Sequence, residues 1–221
     1  NDLKFTSRCI APYSSALGRL PAYLQQLEME SNGKSVDVNG KPLTLSTAPV
    51  VWGEAGTNGQ HAFFQMLHQG TDVIPVEFVA IKTPTYDAGT NHPMDAASQA
   101  IHGIGAAART AHQRALLANA IAQAQALMQG KADAGGHKNF PGNRPSTFIL
   151  LDALTPETLG ALIALYEHRV FVSGVLWGIN SFDQFGVELG KVLAKDIEPR
   201  LVSGDGMGLD ASTAGLLKKL N

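Results

Sequence analysis

Cysteine is almost absent from this chain of 221 residues, in which Cys9 is the single example. One cysteine cannot form an internal disulfide, a CxxC redox motif or a cysteine-rich zinc site. Such cysteine usage is typical of proteins in the reducing cytosol, so we predict a cytoplasmic location.

An excess of one charge is also absent, because 17 basic and 19 acidic residues give a formal net charge of -2. This balance provides no long-range attraction for nucleic acid or for an anionic membrane, and we expect neither as a partner. Any anionic ligand must then be bound by a local arrangement of groups.

Long apolar runs are missing as well. The longest, Val73 to Ile81 and Val170 to Trp177, are much shorter than the roughly 20 residues that span a bilayer, so we expect no membrane segment. The sequence starts at Asn1 without an initiator methionine or the pattern of a signal peptide, which favours a fragment or a trimmed product.

Short apolar runs rich in β-branched residues alternate with longer stretches of helical period. This alternation predicts a three-layer α/β/α sandwich with a mainly parallel sheet, whose strands are buried on both faces. The predicted strands are Pro49 to Trp52, Val73 to Ile81, Thr147 to Leu151 and Arg169 to Val175. The predicted helices are Ser14 to Glu30, Gly59 to Gln69, Ala106 to Gln129, Pro156 to Glu167, Phe182 to Lys195 and Thr213 to Leu220.

Two stretches between these elements lack a regular period. Asn32 to Thr47 is predicted to be a loop or hairpin around Asn39-Gly40, and Pro84 to Gly105 is a long irregular insertion. We expect one α/β domain over residues 1–202, followed by a tail with a short helix over residues 203–221.

Glu54 follows the predicted strand ending at Trp52 and precedes a predicted helix. Ligands of α/β proteins bind at such strand ends, where glycines allow the backbone to approach a substrate closely. A carboxylate there can act as a general base if the cleft excludes water, and the helix start favours developing negative charge. The alternative is that Glu54 decorates a surface loop or only stabilises the helix start.

Gln184, Glu188 and Lys191 recur at i, i+4 and i+7 on the last long predicted helix, so they share one stripe. A neighbouring apolar stripe is expected to be buried. Its members are Phe185, Leu189, Val192 and Leu193. Taken alone, the polar stripe can equally be a surface Glu-Lys pair that contributes a few tenths of a kcal/mol.

Histidines supply the remaining candidates. His92 lies in the insertion, next to Pro93, and an imidazole there can both accept and donate a proton near neutral pH. A solvated loop histidine is the alternative, and His102 is a competing candidate. His61 and His68 are seven residues apart on one predicted helix, and we interpret them as hydrogen-bonded or surface histidines rather than metal ligands.

Two strings resemble the phosphoglucose isomerase family. They are WGEAGTNGQHAFFQ, from Trp52 to Gln65, and GVLWGINSFDQFGVELGK, from Gly174 to Lys191. The first departs at Ala55, where the family usually has proline. The resemblance covers essentially the whole chain and implies a sugar-isomerase (SIS) fold, as the carboxyl-terminal part of a protein more than twice as long.

The resemblance also implies an activity, namely interconversion of glucose 6-phosphate and fructose 6-phosphate in glycolysis and gluconeogenesis, without a metal or organic cofactor. Glu54 corresponds to the glutamate that moves a proton between C1 and C2 through a cis-enediol. Lys191 corresponds to a lysine near the ring oxygen, and Gln184 to a glutamine that contacts the substrate. His92 corresponds to the ring-opening histidine, which reaches the site of the neighbouring subunit and so implies a homodimer.

The family's amino-terminal SIS domain, which binds the phosphate, is not recognisable in these residues. We therefore expect the isolated chain to be inactive. A non-catalytic module that binds sugar phosphates is the alternative function.

Overall fold

The structure is a computed structural model and describes residues 3–84 and 106–221. Four parallel strands form the sheet, in the order β2-β1-β3-β4. They are β1 Ser7–Tyr13, β2 Val50–Gly53, β3 Val76–Ile81 and β4 Ser146–Leu151. The helices are α1 Leu20–Leu24, which continues in π geometry over Gln25–Glu30, α2 Gly56–Ala62, α3 Phe64–Gln69, α4 Ala106–Gln129, α5 Pro156–Trp177, α6 Phe185–Ser203 and α7 Ala211–Leu220.

Successive residues of each strand face opposite layers, so the sheet has a core on both faces. Cys9 and Phe78 belong to the core that contains Phe64 of α3 and Leu127 of α4. The neighbouring strand residues, such as Ile10 and Val79, belong to the core that contains residues of α1 and α5. Helices therefore cover both sides of a parallel sheet, which confirms the predicted α/β architecture.

The strand predicted over Arg169 to Val175 is wrong, because these residues lie inside α5. Their β-branched, apolar composition favours a strand, but the buried positions of α5 recur every four residues. These positions are Leu162, Tyr166, Val170 and Gly174. A capping box between Thr155 and Thr158 starts the helix, which continues until Gly178 adopts a left-handed conformation with φ of 65°.

Strand β1 was not among the four predicted strands. Arg8 and Pro12 interrupt its apolar pattern, and proline cannot donate a hydrogen bond to a neighbouring strand. Pairing with β2 ends at Ile10, whereas Pro12 pairs only with Val79 of β3. Pro12 therefore lies in the part of β1 that pairs with β3 alone, where the missing N-H group leaves no bond to β2 unmade.

Two buried carboxylates, Glu28 and Glu77, pair with arginines near the amino ends of β1 and β3. Arg8 forms a 2.5 Å ion pair with Glu28, and Arg169 donates to Glu77 at 3.0 Å. The Tyr166 hydroxyl also donates to Glu77, and burial, with the Glu77 charge as a second cause, raises the pKa of Tyr166. Removing one partner from such a cluster leaves a buried charge uncompensated, so the cluster anchors α5 to the sheet.

The edge strand β4 exposes Phe148 and Leu150 on the face that carries α4. An open groove of about 630 Å³ lies beside them, and its lining includes Ile121 and Met128 of α4. Natural proteins usually cover or protect an apolar sheet edge of this kind.

The described residues form two compact units, one within residues 1–181 and the other over residues 182–221. The expected domains, 1–202 and 203–221, stay a prediction. One of the described helices, α5, is long and apolar enough to cross a membrane, with a mean hydropathy of 1.4. This is a weak indication, because the core helix of a soluble protein passes the same test and α5 packs its buried side chains against the sheet.

Candidate active site

Glu54 lies immediately after β2, at the carboxyl edge of the parallel sheet. Gly53 pairs with Ile10 of β1, and helix α2 begins at Gly56. The strand, the loop and the helix start therefore occur in the predicted order, in the region where α/β sheets bind ligands. The Glu54 side chain itself is exposed.

Glycines fix the path of the Glu54 loop, which we define as residues 53–56. Gly53 has φ of 150°, and a Cβ atom there would lie 1.9 Å from the carbonyl oxygen of Ile10. A Cβ atom on Gly56 would lie 2.2 Å from Cε2 of Tyr13. Since no larger residue fits at either position without displacement, the loop can lie this close to β1 only with glycine at both.

Ala55, where the chain departs from the family pattern, has φ of -51°. This angle is within the range that proline imposes, so the same loop conformation accommodates either residue. The substitution removes a restraint on the unfolded chain and leaves the conformation of the loop unchanged.

Tyr13 and Gln60 connect the end of β1 to α2. Gln60 Nε2 donates a 3.0 Å hydrogen bond to the Tyr13 hydroxyl, and the Tyr13 ring packs 6.0 Å from that of Phe78. Burial raises the pKa of Tyr13 to about 12, so the hydroxyl is neutral at physiological pH. Sequence reasoning missed this pair, because Tyr13 and Gln60 are 47 residues apart in the sequence.

The predicted helix Gly59 to Gln69 is divided at Phe63, whose φ of -143° separates α2 from α3. His61 and His68 are therefore on different helices. His68 forms a 2.8 Å hydrogen bond with Gln123 and packs edge-on against Phe140, whereas His61 is exposed. The interpretation as a hydrogen-bonded and a surface histidine is confirmed. Over residues 3–84 and 106–221, no group of three or more His, Cys, Asp and Glu side chains is arranged to hold a metal.

Arg144 is a buried cation near the end of α4. It donates to the carbonyl oxygens of Gly70 and Asp72, at 2.6 and 2.7 Å. The arginine therefore anchors the turn before β3 and is not available as a phosphate ligand.

Helix α6 starts directly after Gln184 and contains Glu188 and Lys191, all three of which are exposed. The helix was predicted over Phe182 to Lys195 and extends further, to Ser203. Burial of its apolar stripe is wrong for the part of the chain that the structure describes. The exposed fractions are 70% for Phe185, 65% for Leu189, 65% for Val192 and 52% for Leu193.

The predicted site residues belong to separate parts of the chain. Glu54 belongs to the unit formed by residues 1–181, and Gln184 and Lys191 belong to residues 182–221. His92 and its competitor His102 lie outside the described residues. A pocket shared by these side chains stays a prediction.

Comparisons with known proteins identify the family. The family model named phosphoglucose isomerase matches residues 1–217. Glucose-6-phosphate isomerase of Polaromonas naphthalenivorans is 68% identical over 216 residues, which are 98% of this chain and 37% of the relative. The enzyme of the same name from Albidiferax ferrireducens matches with the same identity and the same coverage.

A solved structure supports this assignment. The crystal structure of a glucose-6-phosphate isomerase from Chlamydia trachomatis matches with a TM-score of 0.79 and 40% identity, over 100% of this chain and 39% of that one. A hypothetical protein from Thermus thermophilus matches less closely, with a TM-score of 0.62 and 27% identity over 87% of this chain and 41% of that one. The chain spans about 37% of the length of its curated relatives, and it belongs to the phosphoglucose isomerase family.

Proposed function

We propose that the longer protein to which these residues correspond interconverts glucose 6-phosphate and fructose 6-phosphate, with Glu54 as the base. The single observation that carries this proposal is the position of Glu54. A carboxylate of the family signature stands at the carboxyl edge of a parallel sheet, between a strand end and a helix start.

Glu54 takes the proton from C2 of the open-chain aldose and returns it to C1 of the resulting cis-enediol. The carboxylate is thus regenerated, and the reaction requires neither an oxidant nor a reductant. A general base contributes about 10²- to 10⁴-fold to such a step. The exposed carboxylate of the described residues must be shielded from water in the complete site for this effect to be reached.

Three other residues complete the proposal. His92 opens the sugar ring and is contributed by the second subunit of a homodimer, Lys191 lies near the ring oxygen, and Gln184 binds a substrate hydroxyl. An ammonium group and an amide at these places suit a polyol whose ring oxygen gains electron density on opening. We further propose a cytoplasmic location and a reaction without a cofactor.

The isolated 221-residue chain is expected to have negligible activity. It represents 37% of its relatives, and the phosphate-binding domain implied by the family lies in the remainder. Phosphate anchoring and electrostatic stabilisation provide much of the rate of such enzymes.

The test is Glu54→Gln in the full-length protein, with turnover measured by a coupled assay and substrate binding by calorimetry. We expect kcat to fall at least about 100-fold while the dissociation constant changes less than about three-fold. Gln65→Glu, on the exposed surface of α3, is the control and should leave kcat unchanged. Undiminished turnover of Glu54→Gln would refute the assignment of the base.

The exposure of Glu54 favours one alternative, a module that binds sugar phosphates without turnover. The same two measurements separate the functions. A binding module has no turnover even as the full-length wild type, and it retains its affinity in the Glu54→Gln variant.

A further inference from the structure

Tyr13 is the last residue of β1 and has no part in the proton transfer proposed above. Its side chain is 1% exposed, and its hydroxyl is bound by Gln60 of α2 at 3.0 Å. Its ring lies against the backbone of Gly56, where a Cβ atom would meet Cε2, Cδ2 and Cζ of the ring at 2.2 to 2.4 Å. Tyr13 therefore touches the Glu54 loop and α2 at the same time.

The strand register explains why these residues meet. Gly53 pairs with Ile10, and Gly56 and Tyr13 each lie three residues further along their segments, so the two meet. Glu54 and Ala55 are the only residues between the two glycines. Since both glycines are held against β1, displacement of Gly56 must be absorbed by Glu54 or Ala55.

The hydroxyl group of Tyr13 is not required for filling the core, because phenylalanine has nearly the same volume. Burying a hydroxyl without a partner costs about 1–3 kcal/mol, and Gln60 offsets this by donating to it. The bond joins β1 to the middle of α2, a short helix whose N-cap residue Ala55 provides no side-chain cap. The tyrosine hydroxyl thus controls the orientation of α2 rather than the volume of the core.

We infer that Tyr13 is a positioning residue for Glu54, acting through its ring contact with Gly56 and its hydrogen bond to Gln60. The catalytic part of this inference rests on the proposed function, and the structural part does not. A shift of about 1 Å in a reacting group can reduce a rate by up to about 100-fold, so even a modest rotation of α2 is measurable.

The first measurement is the steady-state kinetics of Tyr13→Phe and Gln60→Met in the full-length protein. Each variant removes the same hydrogen bond from one side, and we expect each to lower kcat about 10-fold with KM changed less than about two-fold. The double variant should be no slower than either single variant, because the second substitution has no bond left to break.

Tyr166→Phe is the matched control. It makes the same chemical change at a buried hydroxyl that bonds Glu77, near the amino end of β3 rather than at the carboxyl edge. We expect it to lower the melting temperature while kcat stays within about two-fold, because stability alone does not orient Glu54. If Tyr166→Phe lowers kcat as much as Tyr13→Phe, the effect is general loosening and the inference is wrong.

Hydrogen exchange of the backbone amides provides a measurement that does not depend on activity. In Tyr13→Phe the hydrogen-bonded amides of residues 59–63 should exchange faster, and in Tyr166→Phe they should be unchanged. Unchanged exchange there in Tyr13→Phe, or an unchanged kcat, would overturn the inference. A full-length wild type without turnover would refute the proposed function, while the exchange result still decides whether Tyr13 holds the loop.

Discussion

The two signature segments of this chain are held in place in contrasting ways. The Glu54 loop is built into the sheet, since Gly53 and Gly56 lie directly against β1. Helix α6 has the second signature but exposes an apolar stripe that includes Phe185 and Leu189. The difference indicates that the first segment is held by its own domain, whereas the described residues leave the apolar side of the second uncovered.

The largest effect on stability is expected for Gly53→Ala, which disrupts the close packing of the Glu54 loop against β1. The substitution places a Cβ atom 1.9 Å from the Ile10 carbonyl oxygen at φ of 150°. Backbone strain and overpacking together should lower the free energy of unfolding by about 3 kcal/mol or more. Urea denaturation followed by circular dichroism measures this loss.

Gly160→Ala is the control for that substitution. Gly160 lies within α5, and an added Cβ atom there has no neighbour within 4 Å. Alanine should therefore stabilise the protein by about 0.5–1 kcal/mol. Equal effects of the two substitutions would show that the Glu54 loop is not held by close approach to β1.

An intermediate effect on stability is expected for Leu189→Ser, which tests whether the apolar stripe of α6 is covered in the full-length protein. In the 221-residue chain the change should be within about 0.5 kcal/mol, because Leu189 is 65% exposed. In the full-length protein, where we expect this stripe to be covered, the loss should reach about 2 kcal/mol or more. Thermal and urea unfolding of both forms provide the values.

Ala194→Ser is the matched substitution on the opposite face of α6, where the residue is also exposed. It should have little effect in either form of the protein. If Leu189→Ser is harmless in the full-length protein as well, the stripe is not an internal contact.

The smallest effect on stability is expected at Asp210, whose carboxylate caps the start of α7 through hydrogen bonds. Its carboxylate accepts from the Thr213 hydroxyl and then from backbone N-H groups, which lowers its pKa below the usual 3.8. Because the folded-state pKa is depressed, the stabilisation is complete above pH 3.8 and is lost as the pH falls through the lowered value. An NMR titration of the Asp210 carboxyl measures the shift.

Thr213→Val removes the hydroxyl that is the main cause of this shift. The pKa of Asp210 should then move back towards its ordinary value while α7 remains folded. An Asp210 carboxyl that titrates at the ordinary value in the wild type would show that the cap does not form.

Much of the fold could be predicted from the sequence because buried strands and helices differ in period. The helix Ala106–Gln129 was predicted with its observed bounds, and Thr155 with Pro156 marked the start of α5 correctly. The strand assigned to Arg169 to Val175 was wrong because β-branched composition outweighed a four-residue spacing of buried positions. Strand β1 was missed because burial of Arg8 depends on Glu28, which lies 20 residues away.

The candidate site was predictable where it is local in sequence. Glu54, its glycines and the following helix are contiguous, so a short string contains the whole arrangement. The contact of Tyr13 with Gly56 was not predictable, because it depends on the register between two strands that are far apart in sequence. Whether the α6 stripe is buried depends on the polypeptide that packs against it, so the sequence of the stripe alone cannot predict its burial.

The most direct test of the central claim is deuterium incorporation when full-length protein converts glucose 6-phosphate in D₂O, followed by NMR. If Glu54 carries the proton, the wild type places deuterium at C1 of fructose 6-phosphate, and Glu54→Gln slows this at least about 100-fold. Incorporation by Glu54→Gln at the wild-type rate would contradict the account.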